Sequence, residues 1–256
     1  MRYLFILLLA ITPCLSAAEH GTPEWIVKRF FGQPEFEEKK GFYIGEMATT
    51  YSDAPTMGFY TKGAAVVYRE LASDQNQIVY AIDYRKDGET SNWYAYLRPD
   101  GDQWKLSAVR SLVLPGVFYM ALEQAKAKPN LSPSEQWEIE IMELTAASDS
   151  QLKQHLRDNE AALKALTNIA FDDQALIQAS NEEPKTAAAR LYELHLSYAE
   201  PYSKIHGAIQ FTIGGMRDDK VGYLFIPEGK EPPPMDPSNF IYIEEVLPNW
   251  YLFKTT

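Results

Sequence analysis

The chain has 256 residues, with 24 Lys and Arg against 35 Asp and Glu, a formal charge of −11. Phosphate binding needs clustered cationic side chains, so nucleic acid is excluded as an expected partner and an anionic membrane surface is disfavoured. The single cysteine, Cys14, leaves no basis for a disulfide framework or a Cys-ligated metal.

In chain order, the first element is a leader. Met1-Arg2-Tyr3 carries one positive charge, Leu4 to Ile11 is an unbroken apolar run, and Ser16-Ala17-Ala18 supplies small residues at a cleavage site. This is the pattern of a secretory signal peptide, residues 1–18, cut after Ala18. The run is much shorter than the roughly 20 apolar residues that a membrane-spanning helix needs, so no stable membrane span is expected after cleavage. Pro13 is a poor residue before a lipidated cysteine, so a lipoprotein anchored through Cys14 is not expected. Cleavage would export a chain without thiols, to the periplasm or the medium, and would remove one base and no acid.

Thr22-Pro23-Glu24 ahead of Trp25, Ile26, Val27 and Phe30 predicts a capped amphipathic helix over 23–31, with Gly32 as a left-handed stop. His20, just before it at the new N-terminus, is expected to be disordered. Residues 33–62, rich in Pro and Gly, read as irregular with one or two short strands. Four β-rich runs follow, at Ala64–Ala72, Gln77–Lys86, Asn92–Arg98 and Gln103–Leu112. The polar turns between them, Asp87-Gly88-Glu89 among them, imply an antiparallel meander. Pro115-Gly116 then precedes an apolar helix over Val117–Ala127.

Pro129 to Pro133 reads as a linker, which divides the chain into halves at 19–128 and 129–256. Helices are expected at Ser132–Ala147, from a capping box at Ser148-Asp149-Ser150-Gln151 to about Ile169, and at Thr186–Tyr198. Leu152, Leu156, Leu163 and Leu166 share one face of the second. Strands return at Ala208–Ile213, Lys220–Ile226, Phe240–Val246 and Trp250–Lys254. Pro232-Pro233-Pro234 must lie in an extended loop, because proline cannot donate to a β ladder. The fold class is therefore α+β, with two antiparallel β-meanders and helices before and between them. Each meander closes on a strand opened by tryptophan and ending near a base, Trp104 with Arg110 and Trp250 with Lys254. Either duplication or the general preference of strands for aromatics accounts for that echo.

Trp93-Tyr94-Ala95-Tyr96-Leu97, an Asp-Gly turn, and Trp104-Lys105-Leu106-Ser107-Ala108-Val109-Arg110 resemble the closing strands of cystatin-like and NTF2-like α+β domains. The same segment, Val66 to Leu114, also resembles a group of exported bacterial proteins of unknown function. The resemblance implies a curved sheet wrapped on a helix, often around a pocket. NTF2-like enzymes place an Asp or His there as proton shuttle, and the meander of this chain has no histidine.

Signatures of catalysis are missing: no G-x-S-x-G, no P-loop, no G-x-G-x-x-G, and no H-x-x-x-H or H-E-x-x-H pair among the histidines. No catalytic residue, metal or cofactor is assigned. Strand alternation places Trp104, Leu106, Ala108 and Arg110 on one apolar face, where Arg110 could anchor a carboxylate ligand or pair with an acid such as Asp83. Glu46 and Asp83 are candidate pocket acids. Tyr94 and Tyr96, opposite to Trp93, are candidates to line a concave face. The sequence thus points to an exported, non-catalytic protein that binds a small molecule or an envelope protein. Its alternative is a hydrolase or isomerase using Glu46 or Asp83, with Arg110 holding an anion in the N-terminal sheet.

Overall fold

A computed structural model describes residues 18–167, 176–182 and 186–256. All but the last residue of the expected signal peptide lies outside them. The fold is α+β, with a four-stranded and a six-stranded antiparallel sheet. No helix of the described residues is long and apolar enough to cross a membrane.

Helix α1 (Pro23–Gly32) starts as its sequence dictates, with the Thr22 hydroxyl accepting from the Trp25 amide at 3.3 Å. Gly32 does not stop it: the helix runs through that residue and ends at Gln33 in extended conformation. His20, expected to be disordered, has partners in the fold although its side chain is 65% exposed. Its ring lies 4.3 Å from that of Trp25, and its Nε2 is 3.0 Å from a Glu38 carboxylate oxygen. Residues 33–62 hold helical turns where strands were expected: a 3-10 turn at Lys39–Phe42, α2 (Glu46–Thr49) and α3 (Met57–Tyr60). The only extended pairing of that stretch is a bridge from Tyr43 to Leu106.

The first sheet follows sequence order, β1 (Ala65–Ser73), β2 (Ile78–Lys86), β3 (Glu89–Asp100) and β4 (Gln103–Arg110). Asp87 and Gly88 turn the β2–β3 hairpin at φ 53° and 86°, the paired left-handed conformation that the right-handed twist of two strands selects. Both faces of this sheet are covered. Ile78, Tyr80, Ile82, Ala95, Leu97 and Leu106 pack with Ile26, Val27, Phe30 and Phe31 of α1. On the other face Val79, Ala81, Tyr94, Tyr96 and Ala108 join the largest core cluster, whose other members all come from the C-terminal half.

Three helices then follow the linker-side order: α4 (Gly116–Lys126), α5 (Pro133–Thr145) and α6 (Asp149–Asp158). Ser132 and Ser148 both close full capping boxes, with Glu135 and Gln151 reaching back to the cap amides. The long helix expected from Ser148 breaks at Asn159, whose side-chain amide donates to the His155 carbonyl at 2.9 Å and so competes with the next turn. The chain restarts as α7 (Glu160–Thr167); residues 168 and 169, at the end of the expected helix, lie outside the described residues. Leu152, Leu156, Leu163 and Leu166 nevertheless share one buried cluster, as their spacing predicts. Helix α8 (Ala187–Glu193) is shorter than expected, because His195 turns left-handed at φ 52° and the chain enters a strand.

The second sheet contains β5 (Ile177–Gln178), β6 (Tyr198–Pro201), β7 (Ile209–Met216), β8 (Asp219–Phe225), β9 (Phe240–Leu247) and β10 (Trp250–Thr255). Its order, β5-β6-β7-β8-β10-β9, departs from a plain meander. The proline loop carries the chain past one strand position, and the terminal strand fills the gap beside β8. Gly214 is demanded by packing: a Cβ there would collide with Thr145 Oγ1 of α5.

Candidate functional site

The two sheets meet over a small set of aromatic and charged side chains. Tyr94 and Tyr96 do not line an open concave face; each is 0% exposed. The Tyr96 hydroxyl donates to the Ile241 carbonyl of β9 at 2.7 Å. The Tyr94 hydroxyl lies 2.9 and 3.0 Å from the two Asp149 carboxylate oxygens, and its ring stacks on that of Tyr242 at 4.7 Å. Lys254 Nζ completes the group at 2.6 Å from Asp149 Oδ1. Lys254 and Asp149 are only 3% and 4% exposed. Burial, then the Asp149 charge, pushes the Tyr94 phenol well up, so it stays a donor at any physiological pH.

Strand alternation explains how the lysine arrives there. Trp250, Leu252 and Lys254 share the face of β10 that enters the main core, while Tyr251 and Phe253 pack on the other side. The carboxylate is delivered by the capping box, since Asp149 is the first residue of α6 and a carboxylate there also suits the helix dipole. Asn92 of β3 accepts from the Asp149 amide at 2.8 Å and donates to Asp83 Oδ1 at 2.8 Å. Beyond the Tyr242 ring lies a second junction, where Glu244 Oε2 takes Arg69 at 2.7 Å, Lys153 at 2.9 Å and the Tyr242 hydroxyl at 2.8 Å. Burial works to raise Glu244, but those three donors hold its carboxyl below the usual range.

The expected face of Arg110 needs correction. A bulge at Ser107, whose hydroxyl donates to the Tyr96 carbonyl at 3.0 Å, shifts the β3–β4 register. Trp104 and Leu106 therefore face α1, whereas Ala108 faces the main core and Arg110 stands opposite Tyr94. Such an inserted residue reverses alternation beyond it. Arg110 pairs with Glu46, not with Asp83: its two terminal nitrogens meet the two Glu46 oxygens, the second at 2.8 Å. Its Nε donates to the Pro237 carbonyl at 2.6 Å, so one guanidinium ties α2 to the proline loop. Asp83 is held instead by Asn92 and by Arg85 at 3.4 Å. Replacing Arg110 with alanine should cost about 1–2 kcal/mol of stability, the scale of charged hydrogen bonds at a half-buried site. Lysine should not restore it, because a single ammonium cannot reproduce the two-pronged contact; urea midpoints of both variants would measure this.

The end of the β2–β3 hairpin, the start of α6, α3 and α4 enclose an open cleft of about 1270 Å³. Thr90, Ser91, Asn92, Ser148, Ser150 and Gln151 contribute hydroxyls and amides to it, and Lys254 reaches it from below. None of the five residues singled out from the sequence, Arg110, Tyr94, Tyr96, Asp83 and Glu46, lines this cleft, and sequence reasoning missed the pairing of Asp149 with Lys254. The signal was present: a lysine in step with Trp250 and Leu252 on an apolar strand face calls for a buried acid.

A third polar group sits under α6. His155 Nδ1 is 2.8 Å from the Tyr223 hydroxyl, which itself lies 2.9 Å from the Leu152 carbonyl. Burial, followed by the charge of neighbouring His195, lowers the His155 pKa from its ordinary value near 6.5. The unfolded chain therefore takes up this proton more readily than the folded one, and stability is lost as pH falls below about 6.5. Thermal unfolding between pH 7.5 and 5.5 should show a falling midpoint, with a shallower slope in His155→Gln.

Among the described residues, no three His, Cys, Asp or Glu side chains are grouped so as to hold a metal ion. Comparison with protein-family models, curated proteins and solved structures finds no match to this chain.

Proposed function

We propose that the protein is an exported, non-catalytic binding protein that holds a small molecule in the cleft above Lys254. The observation that carries this reading is the cleft itself: about 1270 Å³ of open space lined by hydroxyls and amides from two separate elements. Pockets with a few convergent polar groups on rigid elements are the usual seat of a ligand. The state of the acids supports binding over acid–base chemistry. Asp149 and Glu46 are each held in an ion pair with a protein base, and Asp83 accepts from Asn92, so each of these acids already has a protein partner. The packing of α1 on one face of the four-stranded meander supports the cystatin-like and NTF2-like resemblance, and the leader composition supports export.

Native mass spectrometry of protein purified from an exported expression tests the reading. A reproducible extra mass that disappears on denaturation supports it, and the denatured mass should match a chain beginning at Glu19. A bare chain whose cleft amides also fail to respond to any added ligand would overturn it. A bare dimer buried through the cleft would replace it with a protein-interaction role.

A further inference from the structure

We infer that the cleft is built for an uncharged, polyhydroxylated ligand, an oligosaccharide; this assignment rests on the binding reading above. Its charges are balanced. The ionisable residues lining it are Lys86, Lys126 and Lys254 against Asp87, Glu89 and Glu143, in a chain whose overall charge is −11. Two of the lysines are already neutralised, Lys254 by Asp149 at 2.6 Å and Lys126 by Glu143 at 2.7 Å. At Lys254 an ionic ligand would have to displace a buried partner and leave a desolvated charge behind. A neutral ligand leaves both ion pairs in place.

The remaining polar lining is hydroxyl and amide: Thr90 and Ser91 on β3, beside Asn92, which already bonds Asp83 and the Asp149 amide, and Ser150 on α6, beside Ser148 and Gln151, which close its capping box. Such groups both donate and accept, which matches sugar hydroxyls, each a donor and an acceptor at once. Aromatic rings complete the pattern. The described core buries seven tyrosines, yet Tyr60 on α3 and Tyr119 on α4 stay 65% and 48% exposed, and both line this cleft. A pyranose presents an apolar C–H face, and an exposed ring beside hydrogen-bonding groups suits one face and one edge of that sugar. The volume exceeds what one monosaccharide fills, so the expected ligand is a chain of several units.

A peptide is the rival neutral polymer. Strand addition needs an unpaired edge; β2 is interior, whereas residues 89–93 of β3 pair with β2 alone, because the β4 register reaches only to Tyr94. The exposed rings of Tyr60 and Tyr119 favour the saccharide, and a peptide is an outcome of the test.

Titration calorimetry on the full mature chain, using maltohexaose, cellohexaose and chitohexaose as neutral probes, tests the assignment. Hexagalacturonate and a pool of uncharged tripeptides serve as comparisons. Saturable binding of at least one neutral hexamer is expected, weakened at least tenfold in Tyr60→Ala and in Tyr119→Ala. Both rings are exposed, so the unfolding midpoints of these variants should match the parent and separate lost contact from lost fold. Binding of hexagalacturonate alone would overturn the uncharged ligand, and binding of peptides alone would overturn the saccharide; either, with amide shifts at Asn92 and Ser148, leaves the binding cleft standing. Silence toward every probe would overturn the saccharide as well, and a bare native mass beside it would remove the binding reading too.

Discussion

Replacing Lys254 with methionine should lower stability by about 3–5 kcal/mol, the cost of leaving a buried charge without its partner. The geometry puts this pair in the expensive class: both side chains are almost wholly buried and lie 2.6 Å apart. The Tyr94 hydroxyl would still donate to Asp149, but a neutral donor offsets only part of the desolvated carboxylate. Asp149→Asn should be costly for the mirror reason, since it strands the ammonium under the cleft floor. The double variant should recover at least about 1 kcal/mol of the summed losses, because the two sites share one interaction. Urea midpoints for the four proteins settle the cycle. A single-variant loss below about 1 kcal/mol would mean that the pair behaves as a solvated surface bridge, and the cleft floor would then be wetter than its burial implies.

That pair also shows what the sequence discloses and what it hides. Elements fixed by local chemistry were legible. The Thr22 cap, the Ser148 box, the Asp87-Gly88 turn and the four strands of the first sheet all follow from residues within a few positions of one another. The second-helix leucines were legible for the same reason, since their spacing survives the break at Asn159. Three features were not. The bulge at Ser107 is a single inserted residue whose presence depends on the register of β3 against β4, and it reversed the face assigned to Arg110. The place of β10 between β8 and β9 depends on how far the proline loop travels. The partnership of Asp149 with Lys254 spans 105 residues of chain, so neither half announces the other. Glu46 and Arg110 were each singled out, and only the fold shows that they answer one another. Sequence therefore marks residues that need partners, and tertiary structure decides which partner they receive.

The division at residue 128 makes a sharper claim, and the structure argues that the first half will not stand alone. A fragment of residues 19–128 keeps α1 on one face of its sheet but uncovers the other. Tyr94 and Tyr96, each 0% exposed in the whole chain, and Val79, also 0% exposed, would meet water. Re-exposing three large side chains costs about 1.5–3 kcal/mol each. That is roughly 5–9 kcal/mol against the roughly 5–15 kcal/mol by which a whole domain is stable. The two phenols would also lose Asp149 and the Ile241 carbonyl as partners. The fragment should therefore show no cooperative thermal transition and should bind a hydrophobic dye, while mixing it with residues 129–256 should restore the native near-ultraviolet signal. A sharp transition in the fragment alone would place its stability in the contact between α1 and the sheet. In that case the inter-sheet tyrosines would serve the cleft rather than the fold, because Tyr94 would then be needed only to hold Asp149 and Lys254 in place beneath it.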